Sequence, residues 1–256
     1  IMYHYVRDYN SDLPYFRFLD ISNFRKQLDF FEDEFGFLTK DEWMDFVFGN
    51  SCQNNFPNKG VVLTFDDAMS CQWTHVYDEL KRRQLWGIFY VPTRPYTEEK
   101  MLDVHRTHML CGKYEGKKLL NICSNLINEE MIPFSKIKEF RESYDDQSNY
   151  KGVSEFKRIL NYFIKEELVS ELIDEISNYL NFKDYSPSFY VSERNLKKMS
   201  ENDMIIGSHT VNHRLMSKLS KSEQEKEISD SFAYLQAVCN ITHKTYCHPY
   251  GGFHSF

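Results

Sequence analysis

The sequence predicts an α/β fold built on parallel strands, and three observations support this prediction. Two nearly all-apolar runs, Val61–Phe65 and Gly87–Val91, flank a segment with helical patterning at about 70–84. Apolar runs of this length are typical of strands that are buried on both faces of a parallel sheet. A third such run, Met204–Ser208, follows later in the chain. The repeated order of strand, helix and strand therefore favours βαβ units.

The first 60 residues predict one strand and two helices. Ile1–Val6 is rich in β-branched and aromatic residues and indicates a short strand. An apolar stripe predicts an amphipathic helix over Ser22–Gly36, with the serine as N-cap and the glycine as its stop. A capping-box pattern predicts a second helix over 39–47, and 51–59 is expected to be a loop.

The composition changes between residues 97 and 196. This segment is rich in Lys, Glu, Leu, Ile and Asn, and its apolar residues recur at helical spacing. We interpret it as a helical insertion within a single domain that spans 1–256. The α/β pattern then returns, with a helix predicted at about 220–238 and a short strand at 243–247.

Composition and charge exclude several classes of protein. The chain of 256 residues is 41% hydrophobic and 16% aromatic, which excludes intrinsic disorder. Its 38 acidic residues outnumber 31 basic ones, for a net charge of -7, which argues against binding to nucleic acid or an anionic membrane surface. No apolar run approaches the ~20 residues of a spanning helix. We therefore expect no nucleic-acid partner and no membrane span.

The cysteines bear on the cellular compartment. The chain has six cysteines, with no CxxC motif and no regular framework, which favours a reducing environment. No leader pattern precedes the first strand. We expect a cytoplasmic location, and export stays open because the sequence begins with Ile1 rather than Met.

Two adjacent carboxylates, Asp66 and Asp67, follow the strand at 61–65. Neighbouring buried carboxylates repel each other unless a cation or a proton relieves them. The pair therefore indicates a metal site with one ligand and one free base. An ordinary turn or a helix N-cap is the alternative.

Two histidines, His209 and His213, follow the strand at 204–208. On a helical turn, side chains at i and i+4 point the same way, so both can bind one Zn²⁺ with Asp67 as a third ligand. Surface or capping histidines are the alternative. Because both motifs follow parallel strands, we expect them to meet at one edge of the sheet.

A third motif, His248–Gly252, follows the last predicted strand. Its proline fixes one backbone angle and its glycines permit positive φ, so the loop can hold a backbone N–H in a fixed direction, as an oxyanion donor requires. A plain tight turn is the alternative.

In this order the three motifs resemble those of the polysaccharide deacetylases, the NodB-homology group of carbohydrate esterase family four. The family motifs T-F-D-D-G, H-[ST]-x-x-H and P-[FY]-G correspond to Thr64–Ala68, His209–His213 and Pro249–Gly251. The resemblance spans about residues 60–256. It implies an irregular (β/α)7 barrel and metal-dependent hydrolysis of an N-acetyl or other N-acyl group from a sugar, in surface polysaccharide or glycoconjugate biosynthesis.

The resemblance also implies a role for each motif residue. Asp66 corresponds to the general base that deprotonates the attacking water, and the backbone N–H of Tyr250 to the oxyanion donor. Asp67, His209 and His213 correspond to the ligands of a divalent metal, with Zn²⁺ in first place, although Co²⁺, Ni²⁺ and Fe²⁺ suit the same ligands. The implied partner is an N-acylated sugar, whether nucleotide-linked, lipid-linked or polymeric.

The sequence departs from the family pattern in three places. Ala68 stands where the family has glycine, and Cys247 stands where an arginine usually orients the base. The last family motif, which supplies the general acid, has no counterpart near the end of the chain. Met2–Val6 resembles the Tyr-His segment that opens the circularly permuted deacetylases, such as those acting on poly-N-acetylglucosamine. This likeness implies that His4 is the general acid, and a histidine buried in an edge strand is the alternative.

A seven-stranded barrel requires more strands than the five that the sequence predicts. The closing strands then lie beyond residue 256, or short strands are hidden in loops, or a partner such as a second copy of the chain covers the open side. A homo-oligomer therefore stays open.

Further polar residues are candidates for substrate contacts. His105 and Arg106, beside Asp103 at the start of the insertion, could bind a sugar or a carboxylate, and an ordinary first turn of a helix is the alternative. His248 flanks the third motif and is a further candidate.

Two other functions compete with the hydrolase. A catalytically degenerate carbohydrate-binding or scaffold protein on the same fold is suggested by Ala68, Cys247 and the missing last motif. A phosphoryl-transfer site at Asp66 and Asp67 ranks last, because the D-x-D pattern of aspartyl-phosphate phosphatases is absent.

Overall fold

The protein is described here by a computed structural model, which covers residues 1–49, 59–145, 147–183 and 188–250. The backbone divides into two compact units. One is an α/β unit made of 1–8 and the described parts of 18–97 and 187–251, and the other is a helical unit made of 9–17 and the described part of 98–186.

The α/β unit is built on parallel strands. They are β1 (Met2–Tyr3), β2 (Val6–Arg7), β3 (Leu19–Asp20), β4 (Thr64–Asp66), β5 (Ile88–Val91) and β6 (Ile205–Ser208). Four of them form a sheet in the order β1-β4-β5-β6, and β2 pairs separately with β3. All of these pairings are parallel, so the predicted α/β class is confirmed.

Helices make up most of the remaining regular structure in the described part of the chain. The α-helices are α1 (Ile21–Glu34), α2 (Lys40–Phe48), α3 (Asp78–Arg82), α4 (Arg94–Thr97), α5 (Asp103–Lys113), α6 (Gly116–Leu126), α7 (Phe134–Phe140), α8 (Val153–Arg158), α9 (Glu166–Tyr179), α10 (Glu193–Glu201) and α11 (Lys221–Cys239). Two π-helical turns, Gln72–Tyr77 and Ile159–Phe163, precede α3 and follow α8. Short 3-10 turns lie at Glu129–Met131 and Met216–Lys218. None of these helices is long and apolar enough to cross a membrane.

The core of the α/β unit lies between the sheet and its helices. Phe65 of β4 stacks on Phe89 of β5 with ring centroids 4.7 Å apart, and Phe24 of α1 packs edge-on against Phe65. Leu235 of α11 is fully buried in the same cluster. This apolar packing fixes the strands side by side, and with them the positions of the loops that follow their carboxyl ends.

The helical unit has an apolar core of its own. Helices α5, α6, α8 and α9 contribute fully or nearly fully buried side chains to it, among them Leu110, Leu119, Phe156 and Ile173. A local core of this kind is what the helical periodicity of the segment predicts.

The helix boundaries near the start of the chain agree closely with the prediction. Helix α1 begins two residues earlier than predicted, because the carboxylate of Asp20, rather than Ser22, caps it by accepting the Ser22 backbone N–H at 2.8 Å. Gly36 follows with φ +69°. The capping box of α2 is confirmed: Thr39 Oγ1 accepts from the N–H of Glu42, and the Glu42 carboxylate accepts from the N–H of Thr39.

Several predicted strands are shorter in the structure. The segment 1–6 splits into β1 and β2, because Tyr3 pairs with β4 whereas Val6 pairs with β3. Only the last part of 61–65 pairs as a strand, and 243–247 contributes one parallel bridge, between Tyr246 and Ser208. The predicted loop at 51–59 lies outside the described residues apart from its last position.

Candidate active site

The predicted motifs meet at the carboxyl edge of the sheet. Tyr3 of β1 pairs with Phe65 of β4, so His4, which directly follows β1, lies beside Asp66, the last residue of β4. The end of β6 is joined to the third motif by the N–H of Cys247, which donates to the carbonyl of Ser208 at 3.0 Å. Parallel strands end at one edge, which is where ligand sites of open α/β sheets form.

The three predicted metal ligands form one compact cluster. Oδ1 of Asp67 lies 3.5 Å from Nε2 of His209 and 3.4 Å from Nε2 of His213. Two ligands bound about 2.1 Å from a tetrahedral Zn²⁺ lie ~3.4 Å apart, so these separations are those of ligands around one ion. All three side chains are buried, and they are the group that could hold a metal ion among the described residues. The donor set fits a divalent cation.

A hydrogen bond to the backbone orients His209, one of the three predicted ligands. Nδ1 of His209 lies 2.9 Å from the carbonyl oxygen of Cys247. Because a carbonyl oxygen only accepts, Nδ1 carries the proton, and Nε2 presents its lone pair towards Asp67 and His213. This is the usual arrangement of a metal-ligating histidine.

The loop that carries the two histidines is not helical, contrary to the basis on which the pair was predicted. Thr210 and His213 have φ values of 66° and 56°, in the left-handed region. The N–H groups of Val211 and Asn212 donate to the Glu227 carboxylate of α11 instead of to helical carbonyls. The loop closes on itself when the N–H of His213 donates to Oγ1 of Thr210 at 3.0 Å. Backbone curvature, rather than helical spacing, brings the imidazoles together.

The turn after β4 is left-handed as well. Asp67 has φ 77° and Ala68 has φ 52°. A left-handed non-glycine residue costs roughly 1–2 kcal/mol, and alanine, with only a methyl group, fits where the family has glycine. The N–H of Asp67 donates to the carbonyl of Tyr90 at 3.0 Å, which ties the turn to the end of β5.

Asp66 is held beside the ligand cluster in a buried setting. Its Oδ2 accepts from the Cys247 thiol at 3.6 Å, and its buried Oδ1 has no hydrogen-bond partner among the described groups. Burial raises the pKa of Asp66, against the opposing effect of His209 and His4. Burial, followed by the Asp66 carboxylate, raises the pKa of Cys247 to about 12, so the thiol stays protonated and donates. The Asp66 carboxylate, with one oxygen that lacks a hydrogen-bond partner, is therefore held by a neutral donor at the position where the family pattern has arginine.

His4 lies at the mouth of the cluster. Its Nε2 is 3.9 Å from Oδ2 of Asp66 and 3.8 Å from Oδ2 of Asp67, and its side chain is 40% exposed. It is therefore not the buried edge-strand histidine that was the alternative. Gln72, in the π-helical turn, donates to the carbonyls of both His4 and Asp66, at 3.2 and 2.5 Å. This buried amide ties the ends of β1 and β4 together, and π-helical turns often occur at functional sites.

The third motif is described as far as Tyr250. That residue has φ 59°, and its ring packs edge-on against His213 with centroids 4.9 Å apart. Nδ1 of His248 lies 3.2 Å from the carbonyl of Pro249, and its ring packs against Tyr246. The glycines at 251 and 252 lie outside the described residues. The oxyanion role of Tyr250 and the substrate contact of His248 stay predictions.

The two candidates in the insertion have contacts within the helical unit. Arg106 forms ion pairs with Asp103 at 3.1 Å and with Asp174, and it donates to the carbonyl of Ser170 at 3.4 Å. His105 is fully buried on α5. These contacts are those of an arginine that links α5 to α9, and a substrate contact by either residue stays a prediction.

Three residues that the motifs did not single out as functional take part in the site. The sequence marks Cys247 only as a departure from the family pattern, and no motif includes Gln72 or Glu227. A signal for Glu227 was present, because it shares the buried stripe of α11 with Ser231 and Leu235 at spacings of four residues. A carboxylate in such a stripe indicates a buried polar partner.

Comparison with known proteins agrees with the site. The polysaccharide deacetylase family profile matches residues 163–255, which include the second and third motifs. No curated protein sequence matches the chain.

Two solved structures share its fold. The Streptococcus pyogenes deacetylase PplD in complex with acetate is 16% identical, with a TM-score of 0.53 over 100% of this chain and 75% of that one. A de-N-acetylase from Aggregatibacter actinomycetemcomitans is 14% identical, with a TM-score of 0.50 over 99% of this chain and 79% of that one. The family match over residues 163–255 and the fold shared with these two structures agree with the resemblance of the three motifs to the polysaccharide deacetylases.

Proposed function

We propose that the protein is a metal-dependent N-deacetylase that hydrolyses the N-acetyl group of an amino sugar. The observation that carries the proposal is the buried Asp67, His209 and His213 cluster, with ligand separations near 3.4 Å and the carboxylate of Asp66 beside it. The family match over residues 163–255 and the named activity of the similar structures support the same reaction class.

Each residue of the site has a task in this reaction. A divalent cation held by the three ligands would supply Lewis-acid activation of the attacking water and of the acyl carbonyl. Asp66 accepts the proton of the water through its free oxygen, while the Cys247 thiol holds the other oxygen in place. The N–H of Tyr250, held at positive φ, donates to the oxygen on which negative charge develops.

His4 completes the proton balance. The water oxygen forms a bond to the acyl carbon, and the carbon–nitrogen bond breaks as the sugar nitrogen receives a proton. The His4 imidazole lies 3.9 Å from the Asp66 carboxylate and 3.8 Å from the Asp67 carboxylate, and its side chain is partly exposed. It is therefore suited to give that proton to the amine. The products are acetate and a free amino sugar.

The test is turnover of defined N-acetylated sugars with the Zn²⁺-loaded protein. We expect equal amounts of acetate and free amine from an N-acetylglucosamine oligomer, a nucleotide-linked N-acetyl sugar or a lipid-linked one, and the preferred form identifies the substrate class. A metal-loaded protein that binds these sugars and releases neither product would contradict the proposal and favour the degenerate, carbohydrate-binding alternative.

The His4 assignment has its own test. Replacing His4→Gln should lower kcat by about 10²-fold while KM and bound metal change little, because the group acts on the departing amine rather than on binding. An unchanged kcat would remove His4 from the mechanism and leave the rest of the proposal intact.

A further inference from the structure

The histidine loop is anchored by a buried carboxylate on a different element. Oε2 of Glu227 accepts from the backbone N–H groups of Val211 and Asn212 at 3.0 and 2.8 Å, and Oε1 accepts from the Asn212 side-chain amide at 2.6 Å. Glu227 is buried in α11, 5% exposed. Three donors from two consecutive loop residues thus converge on one carboxylate.

A second contact lies one helical turn further along α11. Oγ of Ser208, the last residue of β6, donates to Oγ of Ser231 at 2.8 Å and accepts from the N–H of Thr210 at 3.2 Å. Glu227 and Ser231 are four residues apart and so face the loop from the same side of the helix. The helix therefore holds the start and the middle of the loop.

The loop needs such an anchor because its backbone is strained. Thr210 and His213 both adopt left-handed conformations, which non-glycine residues keep only where the surroundings hold them. Val211 and Asn212 lie between them, and their N–H groups are the ones that Glu227 accepts. Releasing these bonds would let the loop relax and move the His213 imidazole away from Asp67.

We propose that Glu227 is a positioning residue that holds His209 and His213 in metal-binding geometry. The proposal rests on the proposed metal site and extends it to a carboxylate that does not itself touch the metal ligands. Partners of this outer kind commonly change metal affinity by 10- to 100-fold when they are removed.

The test is the affinity of the metal-free protein for Zn²⁺, measured by competition with a chromophoric chelator. Glu227→Leu keeps roughly the size of the side chain but removes both acceptor oxygens, so the N–H groups of Val211 and Asn212 lose their buried partner. We expect a loss of about tenfold or more. Glu225→Leu, at an exposed position on the same helix, is the matched control and should leave the affinity unchanged.

The conservative variant Glu227→Gln tests the hydrogen bonds themselves. Its carbonyl can accept the two backbone N–H groups, and the Asn212 amide can turn to accept from its NH₂, so the affinity should stay close to that of the wild type. The Co²⁺-substituted proteins provide a second readout, because the visible spectrum reports the ligand geometry and should change in Glu227→Leu alone.

The outcomes separate the two proposals. Wild-type affinity in Glu227→Leu, or a loss in Glu227→Gln as large as that in Glu227→Leu, would overturn the role of Glu227 while leaving the metal site standing. A wild-type protein that binds no Zn²⁺ would instead overturn the proposed function. Far-UV circular dichroism shows that each variant compared is folded.

Discussion

Two buried acidic sites of the α/β unit contrast sharply. Glu79 of α3 lies among three arginines, accepting from Arg25 at 3.0 Å, Arg82 at 2.5 Å and Arg83 at 2.8 Å. Asp66, equally buried, faces the Cys247 thiol and the His4 imidazole.

The pKa values of the two acids move in opposite directions. Hydrogen bonds from Arg82, Arg83 and Arg25 lower the pKa of Glu79 to about 2, whereas burial raises the pKa of Asp66. The difference teaches that this chain neutralises a structural carboxylate with its own cations. At the edge of the sheet it leaves two carboxylates with neutral or titratable neighbours, as a site for an external cation requires.

The largest expected effect comes from removing the carboxylate of the base. Asp66→Asn should lower the rate of deacetylation by about 10²- to 10⁴-fold, because the amide cannot accept a proton, and bound Zn²⁺ should be retained because Asp67 is untouched. Acetate release and metal content are measured on the same samples. Asp33→Asn, an exposed acid of α1, is the control. A variant that keeps its activity would remove Asp66 from catalysis.

Removing the structural carboxylate should affect stability instead. Glu79→Gln is expected to destabilise the fold by about 2 kcal/mol, less than the full loss for a buried ion pair, because Arg25 and Arg82 are more than half exposed and regain water. Urea denaturation measures this loss, and kcat of the folded protein should be unchanged. A large fall in kcat without a loss of stability would contradict the assignment of Glu79 as a structural rather than a catalytic carboxylate.

The same variant gives a pH dependence. The pKa of Glu79 is about 2 in the folded protein and 4.5 in an unperturbed glutamate, so its stabilising effect is complete above about pH 4.5 and declines as the pH falls towards 2. The stability difference between wild type and Glu79→Gln should therefore be constant from pH 7 to 5 and narrow towards pH 3. A difference that widens on acidification would contradict the lowered pKa.

A cation placed beside Asp66 should make the two sites more alike. In Cys247→Arg the guanidinium would favour the ionised form of Asp66, so the acid limb of the pH–rate profile should move to lower pH. The weaker base should also lower the maximal rate, by less than tenfold. Cys247→Ser, which keeps a neutral donor, is the control and should leave the limb near its wild-type position. An acid limb that does not move in the arginine variant would mean that residue 247 does not influence the base.

The smallest effect concerns a buried cation of the helical unit. Lys157 donates to Gln147 at 3.3 Å and lies over the ring of Tyr144, and burial lowers its pKa to about 8. Its charge is therefore a cost to folding below pH 8, and the cost fades as the pH rises towards 10.5. Lys157→Met should raise stability by on the order of 1 kcal/mol at pH 7 and by less at pH 10. Equal gains at both pH values would contradict the lowered pKa.

The sequence could predict those parts of the fold and of the candidate site that depend on local sequence patterns. The apolar runs around Phe65, Phe89 and Ile206 identify the central parallel strands, and the capping box at Thr39 fixes the start of α2. The position of both motifs directly after parallel strands also predicts that Asp67 and His209 lie in one cluster, because parallel strands end at one edge of the sheet.

The remaining features depend on tertiary contacts that no local pattern contains. The left-handed backbone at His213 is stabilised from α11, by a carboxylate 14 positions further along the chain. Gln72 donates to the carbonyls of His4 and Asp66, which belong to two separate segments of the chain, and the contact of Cys247 with Asp66 joins residues 181 positions apart. In the sequence, Gln72, Glu227 and Cys247 are single residues outside any functional motif, so no local pattern identifies their contacts.

The most direct test of the central claim is the metal content of the purified protein after exposure to Zn²⁺ and removal of excess ion. The account predicts about one metal ion per chain in the wild type and in Glu79→Gln, and none in His209→Ala/His213→Ala. A wild-type protein that retains no Zn²⁺, or a double variant that retains as much as the wild type, would contradict it.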